Sequence, residues 1–184
     1  MGWVTGIVLA LILLGAVYFI ATYNKFIGFR NKYEEAFATV DVYSKKRYDL
    51  IPNLVETVKG YAKHEEQTFT RVVEARAKAM QSKTIEESQA NEKAFENTLK
   101  SLFALAESYP ELKANQGFLD LQAQLTNIEG EIANARKYYN AVVKSFNTLV
   151  QTIPSSIVAA ISKFEKQPYY VIEQVERENV KVSF

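Results

Sequence analysis

The chain has 184 residues, enough for one domain of moderate size and an appendage. Its 22 Lys and Arg residues balance 21 Asp and Glu residues, so its overall charge gives no reason to expect nucleic-acid binding. It has no cysteine, which excludes disulfides, thiol catalysis and a lipid-modified N-terminal cysteine, and its 7 glycines and 4 prolines favour long helices over turn-rich β structure.

The N-terminal segment is uncharged from Met1 to Asn24 and consists mostly of Leu, Ile, Val and Ala. Since roughly 20 apolar residues cross a bilayer as a helix, residues 1–24 are predicted to be a transmembrane anchor. A cleaved signal peptide is the alternative, but the apolar run is too long and lacks a basic first region and an A-x-A site. Basic residues follow the span and none precedes it, so the positive-inside rule predicts an outside N-terminus and a cytoplasmic domain.

A heptad stripe begins where the span ends, which predicts that the anchor helix continues into a helical domain over residues 25–154. Pro52 lies within this stripe and is interpreted as a kink, whereas a reversal of the chain there would change the number of helices. Gly60 is predicted to end the helix. The stripe consists of Phe26, Phe29, Tyr33, Ala36, Val40, Tyr43, Arg47, Leu50 and Leu54.

Two shorter helices are predicted in the middle of the chain. One covers about 64–81, with acidic residues in its first turn. The other begins at Thr84, where Thr84 and Glu87 fit a capping box, and ends before Pro110.

A second heptad stripe predicts a long helix from about Lys113 to Thr152, ended by Pro154. The order long, short, short, long indicates an all-α fold, in which an N-terminal transmembrane helix continues into an antiparallel up-down helical bundle with long first and last helices. The stripe consists of Phe118, Leu121, Leu125, Ile128, Ile132, Ala135, Tyr139, Val142, Phe146, Leu149 and Ile153.

The final segment, residues 155–184, is predicted to contain a short apolar helix, capped by Ser155 or Ser156, and an extended tail. One interpretation packs this helix over the end of the bundle. The other makes it a membrane-proximal foot or an oligomer contact. The candidate contact residues are Ile157, Val158, Ile161 and Phe164.

No set of catalytic, cofactor-binding or metal-ligating residues is apparent, so a non-enzymatic protein is predicted. His64 is the single histidine, which leaves the zinc motif H-E-x-x-H incomplete, and it is expected to be an exposed residue at a helix start. An enzyme would instead need residues such as Glu107, Glu129 and Arg136 gathered in one cleft.

Arg47 is a charged residue within the first apolar stripe. Its stem is expected to pack while its head reaches solvent or a carboxylate, from Asp49, Glu56 or a glutamate of a neighbouring helix. The functional alternative is an interaction patch, which lies roughly 30 Å beyond the span and so too far away to touch lipid headgroups. The candidate patch consists of Lys45, Lys46, Arg47, Tyr48, Asp49, Pro52 and Asn53.

Several motifs resemble the bacterial LemA family. They are the segment from Lys46 to Val55, the run from Glu107 to Ala114 with Phe118 after it, and the series that begins at Ile132 and continues through Arg136, Tyr139, Asn140 and Asn147. The resemblance covers about Tyr33 to Phe184 and implies a helical bundle on a membrane anchor in a bacterium, without implying a defined molecular activity. Some members carry a lipid-attachment cysteine instead of a span, which would place their domain outside the cytoplasm, against the orientation that charge predicts.

Together these features predict a scaffold or adaptor of the bacterial inner membrane that self-associates as a homo-oligomer or recruits a membrane partner, such as a protease or an envelope complex. Heptad stripes longer than a small bundle needs favour self-association. The lipid bilayer is the other expected partner, and no nucleic acid or cofactor is expected. A pore or transport component is the alternative, although the span offers ions no charged group.

Overall fold

The computed structural model describes residues 1–171, and all regular secondary structure in that range is helical. This confirms the all-α prediction with two long helices. The predicted tail from residue 172 onward lies outside the described residues. The helices are α1 (Gly2–Lys59), α2 (Glu66–Met80), α3 (Ile85–Glu107), α4 (Pro110–Lys113), α5 (Gln116–Gln151) and α6 (Ser155–Ser162).

α1 is a single helix of 58 residues that holds both the predicted anchor and the first heptad stripe. Pro52 lies inside it, so the chain does not reverse there. The helix ends at Lys59, and the amide of Gly60 donates to the carbonyl of Glu56 at 3.2 Å, in agreement with the predicted stop. The N-terminal part of α1 is long and apolar enough to cross a membrane, and its large apolar side chains are exposed.

The caps of the shorter helices differ from the predictions in detail. The Thr84 hydroxyl accepts from the amide of Glu87 at 3.2 Å, but the Glu87 carboxylate accepts from the amide of Lys83 rather than that of Thr84. The prediction that Ser155 or Ser156 caps the last helix is wrong, because the cap position is Pro154. Ser155 Oγ donates to the carbonyl of Leu149 at 2.7 Å, which ties α6 back to the end of α5.

The described residues form two compact units, each containing part of α1 and part of α5. Unit 1 comprises Met1–Ala38 and Lys137–Tyr169. Unit 2 comprises Thr39–Arg136 and, of the described residues after it, Tyr170 and Val171. The predicted boundaries at residues 24 and 154 separate an anchor and a terminal segment from the bundle, and they stay predictions.

The core of unit 2 is an apolar cluster to which α1, α2, α3, α4 and α5 contribute. Arg47 of α1 contacts Glu129 of α5, and Tyr61, just after α1, contacts Asn115, just before α5. A later position on one helix thus meets an earlier position on the other, so α1 and α5 run antiparallel in this unit. The fully buried apolar side chains include Ile51, Leu54, Val58, Val72, Phe95, Leu102 and Leu112.

The core of unit 1 is mainly aromatic. Phe26 of α1 stacks on Phe164 with ring centroids 4.7 Å apart and meets the edge of Phe146 of α5 at 5.7 Å. Val158 and Ala159 of α6 are buried in the same cluster. These contacts pack one face of α6 against α1 and the end of α5 within unit 1, and both interpretations of the segment stay predictions.

Candidate functional site

Arg47 lies completely buried in unit 2 although it is charged. Its position on the apolar stripe of α1 turns the side chain toward α3 and α5. There Nη1 donates to Glu129 Oε1 at 2.7 Å and Nη2 donates to Glu92 Oε2. The prediction that a glutamate of a neighbouring helix pairs with Arg47 is confirmed, with one glutamate from each of two helices.

Glu92 is the central acceptor of this site. It is 3% exposed and lies on the buried stripe of α3, three residues before Phe95. Its carboxylate accepts from Arg47, from the hydroxyl of Tyr48, and from Arg136 Nη2 at 3.4 Å. We call the set Arg47, Tyr48, Glu92, Glu129 and Arg136 the Arg47 cluster.

Aromatic rings enclose the two guanidinium groups. The Arg47 guanidinium lies 5.1 Å from the ring centre of Phe95 and 5.3 Å from that of Tyr48, and these rings pack edge to face. The Arg136 guanidinium lies 5.3 Å from the ring of Tyr170. Arginine suits such places because its flat, weakly hydrated cation stacks on rings while its edge donates hydrogen bonds.

Burial and charge shift the pKa values around the cluster. Burial opposes the charge of Arg47, but the carboxylates of Glu92 and Glu129 outweigh this and raise the pKa of Arg47. Burial, reinforced by Glu92, raises the pKa of Tyr48 above its ordinary value. Burial and the nearby Glu129 raise the pKa of Glu96. The Arg47 guanidinium therefore stays charged and the Tyr48 hydroxyl stays protonated near neutral pH.

The four charged members of the cluster are two arginines and two glutamates, so their charges cancel within the site. Removing such charges from water costs several kcal/mol per ion, on the order of what good pairing returns, so the cluster is better suited to fixing one packing arrangement than to adding net stability. Residues 1–171 contain no group of three His, Cys, Asp or Glu side chains placed to hold a metal ion. The arrangement is that of a structural ionic lock between α1, α3 and α5.

The predicted interaction patch divides into two faces of α1. Arg47 and Tyr48 face inward, whereas Lys45, Lys46, Asp49, Pro52 and Asn53 are exposed. Lys45 Nζ bonds Asp49 Oδ2 at 2.5 Å on the surface. With Val42 and Glu56, which are also exposed, these five residues form what we call the outer face of α1. Its role in binding stays a prediction.

The candidate contact residues near α6 divide in the same way. Ile157 and Ile161 are exposed, at 58% and 65%, whereas Val158 is buried and Phe164 packs against the core of unit 1. Ile153, the last predicted member of the second stripe, is 85% exposed because α5 ends at Gln151.

The chain after α6 is tied to α5 within unit 1. The buried side chain of Asn147 donates to the carbonyl of Gln167 at 2.9 Å and accepts from its amide at 2.8 Å. Tyr139 donates from its hydroxyl to the carbonyl of Pro168 at 3.1 Å. One asparagine thereby pairs with both backbone groups of a residue that lies outside any helix.

Sequence reasoning missed Glu92. The signal was present, because continuing the stripe of Phe95, Leu99, Leu102 and Ala106 backwards by three residues reaches a glutamate in a buried position. Of the three residues named for an enzyme, Glu129 and Arg136 belong to the Arg47 cluster, whereas Glu107 lies exposed at the end of α3. His64 is exposed, as expected.

Comparison with known proteins gives a family match over most of the chain. A model described as the LemA family matches residues 36–184. The chain belongs to the LemA family. The matched region contains all five members of the Arg47 cluster and Asn147.

Two kinds of named relative are similar to this LemA-family chain. Protein LemA of Metamycoplasma hominis is 22% identical over 173 residues, which cover 92% of this chain and 79% of the relative. Magnetosome protein MamQ of Magnetospirillum gryphiswaldense is 22% identical over 194 residues, covering 89% and 71%. Magnetosome protein MamQ 1 of Paramagnetospirillum magneticum is 22% identical over 187 residues, covering 85% and 69%. None of these names denotes an enzyme.

Proposed function

We propose that this LemA-family chain is a membrane-anchored, non-enzymatic scaffold or adaptor, which self-associates or recruits a membrane partner in the bacterial envelope. The observation that carries the proposal is the outer face of α1. It is an exposed row of mostly charged and polar side chains on the same unbroken helix that contains the apolar span. A partner bound there is held at the membrane, where confinement raises its effective concentration.

The distribution of charge in unit 2 supports this role. The Arg47 cluster pairs its charges internally, although the Nε of Arg47 and that of Arg136 are buried without a hydrogen-bond partner among the described residues, and Glu129 is its most exposed member, with a side chain 43% exposed. The charged groups of the outer face are directed to solvent instead, with the Lys45 side chain 68% exposed and that of Asp49 50% exposed. Exposed and mutually compatible charges steer association and fix the register of a partner.

We place the domain in the cytoplasm and the anchor in the inner membrane. The first basic residues after the span, Lys25, Arg30 and Lys32, support this orientation by the positive-inside rule. A C-terminal tag should resist protease in spheroplasts and be cleaved after lysis. Cleavage in intact spheroplasts would overturn the orientation and leave the scaffold proposal standing.

Site-specific photo-crosslinking in intact membranes tests the scaffold proposal. A photoreactive residue in place of Lys46 or Asn53 should give a defined adduct, either with a second copy or with one membrane protein. The same residue in place of Lys100, an exposed position of α3, is the matched control and should give none. Asp49→Lys should reduce the adduct formed at Asn53. The proposal fails if no position gives an adduct and the detergent-solubilised chain is a monomer at all concentrations.

A further inference from the structure

Three isoleucines around α6 expose large apolar side chains. Ile157 and Ile161 lie one helical turn apart on α6, and Ile153 lies two residues before the helix begins, four positions before Ile157. They are 58%, 65% and 85% exposed. Exposure of three large apolar side chains to water is unfavourable, so we expect this surface to be covered by a partner.

The opposite face of α6 is fixed in place by unit 1. Val158 and Ala159 are 3% and 1% exposed and pack into the aromatic core. The helix therefore cannot turn its isoleucines inward without opening that core. Their exposure is a property of the packed unit.

The aromatic core also fixes the height of α6 along the span. Phe164, which follows α6, lies 5.7 Å from the ring of Tyr23 and stacks on Phe26. Phe19 packs against the same cluster. Tyr23 ends the apolar run and Lys25 is the first charged residue of the chain. The C-terminal end of α6 therefore lies beside the turns of α1 at which the span leaves the hydrocarbon.

The end of α6 turns so that an aromatic side chain faces inward and a basic one faces outward. Lys163 has a φ of 58°, in the left-handed region, and the amide of Phe164 donates to the carbonyl of Ala159 at 2.9 Å. Lys163 and Lys166 are exposed, with one acid, Glu165, between them. Apolar side chains bordered by lysines are typical of helices that lie in a bilayer interface.

We propose that α6 is an interfacial foot, whose Ile153, Ile157 and Ile161 insert into the boundary between headgroups and acyl chains of the leaflet in which the span ends. The occupant of this apolar face is the lipid bilayer, because the face is continuous with the point where α1 leaves the membrane. The foot gives unit 1 a second point of attachment to the bilayer. This proposal does not depend on the scaffold role or on the outer face of α1.

Spin labelling of the full chain in nanodiscs tests the foot. The chain contains no cysteine, so Ile157→Cys and Ile161→Cys each provide a single labelling position. Tyr138→Cys is the control, since Tyr138 is 54% exposed on α5 in the same unit, about 20 Å from Ile153 along a helix. The discs contain phosphatidylethanolamine and phosphatidylglycerol in a ratio of about 3:1 and one chain each.

The readout is the ratio of collision rates of the label with oxygen, which partitions into lipid, and with a water-soluble nickel chelate. We expect this ratio to be several-fold higher at positions 157 and 161 than at position 138. Equal ratios at the three positions would show that the isoleucines face water and would overturn the proposal.

Two further outcomes separate lipid from protein as the occupant. If both reagents are excluded from 157 and 161 in discs with one chain, the face is covered by the chain itself and the foot is wrong. If the labels contact lipid in single-chain discs but broaden each other and lose oxygen access with two chains per disc, a second copy displaces lipid and the foot is overturned. Retention of the lipid pattern at both loadings supports it.

Discussion

Unit 1 fills its core with the rings of Phe26, Phe146 and Phe164, whereas unit 2 places the charged head of Arg47 at a comparable position of the same stripe of α1. Apolar packing is largely non-directional, so the aromatic core selects its arrangement by the shape and volume of its rings. A buried guanidinium is satisfied only where carboxylates meet it, which occurs at one register of α1, α3 and α5. The position of α1 against its neighbours is therefore set by the volume of apolar side chains in unit 1 and by charge pairing in unit 2.

The largest effect on stability should come from removing the acceptor shared by the two arginines of the Arg47 cluster in unit 2. Glu92→Ala removes the carboxylate that serves Arg47, Tyr48 and Arg136, and we expect a loss of about 3–5 kcal/mol in the free energy of unfolding. Urea titration of the detergent-solubilised chain, followed by circular dichroism, measures it.

A double replacement is the control for this change. Arg47→Met combined with Glu92→Leu removes both buried charges and keeps the volume, so it should lose less stability than Glu92→Ala, and its remaining loss of about 1–3 kcal/mol reflects the Tyr48 hydroxyl and Arg136 left without Glu92. A double variant as unstable as Glu92→Ala would show that the cluster adds net stability, contrary to its role as a lock.

A similar loss should follow from a cavity in unit 1, without a change in charge. Phe146→Ala removes a ring that contacts Phe26, Tyr33 and Phe164, and we expect it to cost about 3–5 kcal/mol. Hydrogen exchange should show the loss in unit 1. Tyr138→Ala, at an exposed position of the same helix, should change stability by less than about 0.5 kcal/mol. Equal losses from the two variants would refute an aromatic core.

Tyr48 should make the stability of unit 2 sensitive to alkaline pH. Its pKa is raised by burial and by Glu92, so the folded state keeps the proton after the unfolded state has lost it. The stabilisation is complete below pH 10 and falls as the pH rises from there toward the folded pKa. Tyr48→Phe should cost about 1.5–3 kcal/mol near neutral pH, as expected for a hydrogen bond to a charged group, and should flatten this decline.

Denaturation at several pH values between 8 and 11 measures the effect of Tyr48→Phe. Part of the decline should remain, because burial raises the pKa of Tyr170 to about 12. Tyr138→Phe is the control and should leave the profile unchanged. An unchanged profile for Tyr48→Phe would contradict the assigned hydrogen bond to Glu92.

A local loss of stability should follow in unit 1 when the hydrogen bonds between α5 and the segment after α6 are removed. Asn147→Ala leaves the amide and carbonyl of Gln167 without their partner, at a cost of about 1–3 kcal/mol. Hydrogen exchange should accelerate at Gln167 while the core of unit 2 keeps its protection. Ser145→Ala, on the exposed side of α5, should leave the exchange at Gln167 unaltered; acceleration there as well would disprove a specific tie.

The smallest effect should come from the surface pair of the outer face. Asp49→Ala breaks the contact with Lys45, and we expect a change of about 0–1 kcal/mol that diminishes with added salt, since both side chains are well exposed. Denaturation at low and high salt measures it. A loss of stability as large as that of Glu92→Ala would show that the charges of the outer face also hold the fold together, and would contradict their difference from the charges of the Arg47 cluster.

The helices could be predicted from sequence because their signals are local. Apolar residues recur at helical spacing, Gly60 ends α1, and Thr84 begins α3, so these elements follow from patterns within a few turns of chain. The short helix α4 and the actual cap of α6 were not predicted, because each depends on how a brief connection meets its neighbours.

Of the candidate site, the sequence indicated Arg47 and its need for a carboxylate partner, but not which residue is that partner. A charged residue in an apolar stripe requires a partner, but spacing alone does not say which of 21 acidic residues supplies it. The same limit applies to Asn147, whose backbone partner lies 20 positions away and has no side-chain signature. Long-range pairing depends on packing geometry, which periodicity does not encode.

The unbroken helix α1 has a consequence for rotation. Within unit 1, successive residues turn by about 100° around the axis, so each side chain of the anchor has a fixed angular relation to the exposed Arg30 and Glu34, further along the same helix. A neighbour in the bilayer that contacts one side of the span thereby sets the direction in which Arg30 and Glu34 point. Adding a single residue to the anchor would swing them by about a quarter turn, whereas adding seven would return them nearly to their starting direction.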